Sequence, residues 1–197
     1  MKTTLLSILL FTSILVRAQY TDTHFGLKAG LNISSLDEKD GVDFNSKAGF
    51  YLGGLAHVHL SPHFAVQPEL VYSQQGGKDG PTGDIWKINY LNVPVLLQYM
   101  TGSGFRLETG PQVGFVVSSK IKSGDIEQDI NSSVSKVDFS WALGASYQFP
   151  EGLGVDARYN IGISNVDEAD NPIIHNRVFQ LGLFYQFMNS TTHSRTK

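Results

Sequence analysis

Cysteine is absent from the 197 residues. That excludes disulfide staples, thiolate zinc sites, a cysteine nucleophile and a lipid-bearing N-terminal cysteine. Charge is also scarce, at 17% of residues, against roughly 25% in ordinary soluble domains. The formal net charge is only -3, and no block of Lys or Arg stands out. Nucleic acid is therefore excluded as the main partner. No apolar run reaches the roughly 20 residues that a membrane-spanning helix needs. What the chain does have is 20 glycines, 12 phenylalanines and 8 tyrosines. Such a composition does not belong to a disordered chain, and the length fits one domain.

The first residues read as an address. Met1-Lys2-Thr3-Thr4 is a short positive start, Leu5 to Val16 is apolar, and Val16-Arg17-Ala18 offers a cut before Gln19. This is the pattern of a secretory signal peptide over residues 1–18. Its removal leaves 13 basic and 18 acidic residues, a net charge of -5. The expected organisation is a signal at 1–18, one domain at 19–187 and a C-terminal tail at 188–197.

Beyond Tyr20 no helical periodicity is present. Eight stretches instead alternate apolar with polar or small residues, the pattern of two-faced strands. In the first, from about His24 to Ser34, Phe25, Leu27, Ala29, Leu31 and Ile33 share one face. Gly26, Lys28, Gly30 and Asn32 share the other. The remaining stretches are about 48–60, from 64, 88–99, from 105, 138–149, 153–163 and 179–187. Most are close to the 9–11 residues that a tilted strand needs to cross a bilayer. Short turns near 61–63, 101–104 and 150–152 alternate with long polar segments near 35–46, 75–86, 119–135 and 165–176. The expectation is an all-β fold, an eight-stranded antiparallel up-and-down transmembrane β-barrel with both termini at the short-turn end.

Alternation alone leaves the outside face open, because a soluble lipocalin-like carrier also alternates. Volume decides between them. An eight-stranded barrel has an interior just wide enough for ordinary side chains, and the apolar face is crowded with rings. The opposite face carries Gly26, Gly30, Gly49, Gly53, Gly110, Gly114, Gly144, Gly154, Gly162 and Gly182. The apolar face is expected outside, in lipid. Aromatics fall in two girdles. Phe25, Phe64, Tyr99, Phe105, Phe149 and Phe187 lie toward the short turns. Phe50, Tyr72, Trp86, Phe115, Phe139, Trp141, Tyr159 and Phe179 lie toward the long loops.

Four segments in order, Tyr90–Tyr99, Phe105–Phe115, Val155–Gly162 and Arg177–Phe187, resemble the PorT-like outer-membrane β-barrel family. The resemblance covers essentially the whole mature chain. It implies an eight-stranded barrel in the outer membrane of a Gram-negative bacterium, and no single activity. Such barrels usually end at a terminal aromatic, whereas here Phe187 is followed by residues 188–197.

The residues expected to matter are ionisable groups on the inner face: Glu69, Arg106, Glu108, Arg158, Asp138 and Asp156. They read as a structural charge network that fills the lumen, against the alternative of a charged gate. His57 and His59 share the inner face of one strand with Glu69 on the next, a weak zinc or copper pattern. No metal is expected there. His175, with Ser164 and Asp167 nearby in sequence, lacks a nucleophile motif, so no catalytic residue and no cofactor is expected. The functional expectation is a non-enzymatic outer-membrane barrel, structural or adhesive, or a component of an envelope or secretion complex. A lipid-modifying barrel enzyme and a soluble periplasmic carrier are the alternatives. Expected partners are outer-membrane lipids and lipopolysaccharide, the barrel-assembly machinery and an envelope protein.

Overall fold

The structure, a computed structural model, describes residues 22–38, 44–79, 82–130, 134–164 and 174–187. The signal at 1–18 and the tail at 188–197 lie outside the described residues. Nine strands follow in chain order: β1 (Thr23–Glu38), β2 (Phe44–His59), β3 (Phe64–Asp79), β4 (Ile85–Met100), β5 (Phe105–Ser123), β6 (Ile126–Asp129), β7 (Val137–Gln148), β8 (Leu153–Gly162) and β9 (Ile174–Gln186).

Hydrogen-bonded neighbours run β4-β3-β2-β1-β9-β8-β7-β5, and β5 pairs back onto β4. Every pairing is antiparallel. Eight strands thus close into a barrel and leave no edge, the condition a sheet must meet in hydrocarbon. The short turns are as tight as the sequence suggests. Thr101 N–H donates to Phe105 O at 2.9 Å and Phe149 N–H to Leu153 O at 2.8 Å. Gly104 has φ +94, and a Cβ there would meet Gln148 O at 2.4 Å, so this turn demands glycine.

Period two carries through to burial. On β1, Phe25 is 64% and Leu31 70% exposed, while Lys28, Asn32 and Ser34 between or beside them are buried. Exposed Leu97, Leu107, Phe115, Trp141, Leu181 and Leu183 continue the apolar belt around the wall. In water such a surface would be untenable. In lipid it needs no cover, so this fold keeps its polar groups in the centre and its apolar groups outside.

Four sequence expectations need correction. The segment near 119–135 is not simply a loop. β5 runs on to Ser123, turns at Gly124 (φ +58) and returns as β6, with Lys120 opposite Asp129 and Ser123 opposite Ile126. The segments near 35–46 and 75–86 are largely strand as well, because β1 to β4 each span 16 residues. With 9–11 residues sufficient to cross at a tilt of about 45°, the remaining residues, at about 3.3 Å each, carry the long-loop end roughly 12–16 Å past the hydrocarbon. Trp86 does not join the outer girdle. It packs inward against a buried cluster of Leu36, Ile88, Tyr90 and Val134. The inner face also holds larger residues than its glycines suggested, including Tyr51, Leu55, Leu96 and Phe184.

Candidate functional site: the charged lumen and the two rims

The centre of the barrel is organised around Arg158, a buried residue of β8 at 2% exposure. Its Nη1 and Nη2 donate to Glu69 Oε2 and Oε1, both at 2.9 Å, and its Nε donates to Glu108 Oε1 at 2.9 Å. The planar guanidinium suits this forked grip on one carboxylate with a third bond to another. Lys28 from β1 adds a second cation, 3.3 Å from Glu69 and 3.6 Å from Asp156. Tyr51 from β2 donates its hydroxyl to Asp156 at 3.2 Å. Amides take up remaining lone pairs. Gln67 donates to Glu69 at 2.8 Å, and Gln98 to Glu108 at 2.9 Å.

Six strands supply these groups, and the other two make room for them. On β7, a Cβ at Gly144 would stand 2.9 Å from Glu108 Oε1. On β9, a Cβ at Gly182 would stand 2.1 Å from the Tyr51 hydroxyl. The glycines of the inner face are therefore the space in which the charged and aromatic side chains lie. Lys28 and Arg158 face Glu69, Glu108 and Asp156, and one more cation, Arg106, lies a layer nearer the short turns. Buried charges persist only when paired and hydrogen-bonded in this way.

Of the six ionisable residues named from sequence, the structure brings together Glu69, Glu108, Asp156 and Arg158. Arg106 sits apart. Its Nη2 donates to Gln148, and to Gln186 at 3.4 Å, and its guanidinium lies 6.0 Å from the Phe184 ring centre. Asp138 is at the opposite end, where the Ser164 hydroxyl donates to it at 2.5 Å. Lys28 and Tyr51 are network members that the sequence list lacked. Both lay on the inner face of their strands, but nothing in the sequence gave the cross-barrel distance to Asp156.

The His57–His59–Glu69 grouping does not form, because Glu69 is held by Arg158 and Lys28. His59 instead meets Asp22 and His24 at the short-turn rim. His175 Nδ1–H donates to the backbone carbonyl of Ser164 at 3.1 Å. The Ser164 hydroxyl points to Asp138 rather than to that imidazole, so the two are not a nucleophile–base pair. Asp167 lies outside the described residues.

At the long-loop end the outer wall changes character in successive register rows. Tyr72, Leu91 and Phe115 align in one row, Gln74, Asn89 and Ser118 in the next, and Lys87 opposite Lys120 beyond them. These polar residues, with Lys47, Ala48 and Glu127, line a groove of about 440 Å³. Glu127 of β6 faces Lys87 and, at 3.7 Å, Lys120. The hydrogen bond and charge of Lys87 hold the Glu127 carboxyl below its usual value, with Lys120 and Lys122 adding to it.

A closed antiparallel barrel with an apolar wall and a polar, occupied interior defines the class: a small β-barrel membrane protein of the outer-membrane type. The chain belongs to the outer membrane protein beta-barrel domain family, whose model matches residues 17–168. This places it in the outer membrane. Among solved structures it resembles Neisserial surface protein A, at 15% identity and a TM-score of 0.61, over 83% of this chain and 97% of that one. It also resembles Ail, the attachment invasion locus protein of Yersinia pestis, solved in complex with the heparin analogue sucrose octasulfate. That likeness has 17% identity and a TM-score of 0.55, over 84% of this chain and 99% of that one. These likenesses speak to the fold. No curated protein matches the sequence.

Proposed function

We propose that this chain is a non-enzymatic, sealed outer-membrane barrel with a structural and adhesive role at the cell surface. On this reading the signal at 1–18 exports it, the barrel-assembly machinery inserts it, and the short-turn end faces the periplasm. The four sequence segments named above support the PorT-like branch of the family.

The observation that carries the proposal is the Arg158–Glu69–Glu108 grip across the centre. It spans the bore from β8 to β3 and β5, and Lys28, Tyr51, Gln67 and Gln98 pack around it. A transporting pore needs groups that bind weakly and release, whereas these carboxylates are committed to fixed partners. The projecting strands and the β5–β6 hairpin supply a surface above the membrane. The lysine groove at Lys47, Lys87 and Lys120 supports contact with lipopolysaccharide, because it sits just beyond the last aromatic row, at the level of anionic headgroups.

Planar-bilayer recording on the refolded protein tests this reading. Wild-type protein is expected to give no steady conductance. An ohmic current that scales with salt concentration overturns the sealed-barrel reading and favours a solute channel.

A further inference from the structure

β1 and β2 finish together at the short-turn rim, and their last inner-face positions carry an unusual set of side chains. Asp22 immediately precedes β1 and His24 lies at its start, while His57 and His59 stand at the end of β2. Each pair is spaced two apart, so each falls on one strand face. The register sets His24 directly opposite His57, and His59 N–H donates to Asp22 O at 3.1 Å. The result is two adjacent cross-strand rungs, with three imidazoles and one carboxylate facing the same way.

The rings are in contact. His24 Nε2 lies 3.0 Å from Asp22 Oδ2. The His59 ring is edge-on to His24 at 5.6 Å and to His57 at 4.6 Å between centres. One ligand atom from each of Asp22, His24 and His59 lies within 4.8 Å of the other two. Around a tetrahedral zinc ion with bonds of about 2.0–2.1 Å, ligand atoms stand roughly 3.3 Å apart. Closing the set onto an ion therefore takes side-chain shifts of about an ångström or two at an open rim.

The protein makes incomplete use of these groups itself. His24 Nδ1 is buried and makes no hydrogen bond. His57 is engaged by the side chains of Gln67 and Gln98, with the Arg106 charge close to it on the lumen side. Buried imidazole nitrogens are ordinarily satisfied, so the bare Nδ1 of His24, inside the Asp22–His24–His59 set, marks a histidine whose donors the protein does not use up. Arg106 behind and the Asp22 carboxylate in front set the cation at the mouth rather than deeper in the bore.

We propose that Asp22, His24 and His59 form a binding site for one divalent transition-metal ion of the zinc class, with His57 as the adjacent donor on the lumen side. Two imidazoles and a carboxylate suit zinc, nickel and copper rather than magnesium or calcium. The proposal is independent of the sealed-lumen reading, because Asp22, His24 and His59 take no part in the Arg158 network.

The test uses the full mature chain, refolded in detergent and stripped with chelator, with Zn²⁺ as the titrant. Calorimetry is expected to give one ion per chain. H24A and H59A are each expected to weaken binding by about ten-fold or more. A triple variant at the other histidines, His63, His175 and His193, is expected to bind as wild type. A second readout needs no variant: the ring resonances of His24 and His59 are expected to shift on Zn²⁺ addition while those of His63 stay. Absence of saturable binding to folded wild type, binding that survives both single substitutions, or loss in the triple variant overturns the proposal.

Discussion

At the scale of single residues, a charged side chain inside a lipid-facing barrel has to find its partners within the bore. Arg158 satisfies three of its N–H groups on two carboxylates. Those carboxylates are satisfied in return by Lys28, Gln67 and Gln98. Removing the guanidinium leaves Glu69 and Glu108 buried with too little positive charge. R158A is therefore expected to lower stability by about 3–5 kcal/mol, the cost of breaking a buried ion pair on one side. Urea unfolding in bilayers or detergent, followed by the change in gel mobility, reads that difference. A loss below about 1 kcal/mol would mean that the network behaves like a solvated surface pair. This layer was half legible in the sequence. Alternation set Glu69, Glu108, Asp156 and Arg158 on the polar face of their strands, and the volume of the rings on the other face made theirs the inner one. That Arg158 reaches two carboxylates on strands far from its own could not be read, because closure and register set that distance. Trp86 escaped for a related reason. With 75–86 read as loop it had no strand phase, and its position along the chain suggested the girdle.

At the scale of strands and turns, period two was the most legible feature. All eight apolar faces point where the alternation predicts, because a one-residue slip would carry every charged group into lipid. Strand length was less legible. Beyond the bilayer the strand no longer needs an apolar face, so β1 to β4 and the β5–β6 hairpin continue in polar sequence that reads as loop. Backbone pairing holds them, helped at the hairpin by Glu127 between Lys87 and Lys120. The Glu127 carboxyl is held below its ordinary value of 4.5. The tie is therefore fully present above that value and is lost as pH falls through the lowered one. E127Q is expected to speed amide exchange in β6 and the adjoining end of β5 at neutral pH, while β1 and β9 exchange as in wild type. Hydrogen-exchange mass spectrometry distinguishes this from uniform exchange across the barrel, which would contradict a local role.

For the whole molecule, three layers close the bore. Arg106, Phe184 and Gln186 lie near the short turns, the Arg158 network fills the middle, and Leu36, Ile88, Tyr90 and Val134 pack toward the outer end. A barrel closed at three depths, with an apolar wall outside, is the inverse of a soluble carrier made from the same alternating pattern. The two tryptophans report on this inversion, since Trp141 lies on the outer wall and Trp86 packs inward. In vesicles containing lipids brominated on their acyl chains, the W86F variant, emitting from Trp141 alone, is expected to be strongly quenched. The W141F variant, emitting from Trp86, is expected to be quenched little. The reverse pattern, with Trp141 unquenched by brominated lipid and quenched by aqueous acrylamide, would mean that the apolar face does not meet the membrane.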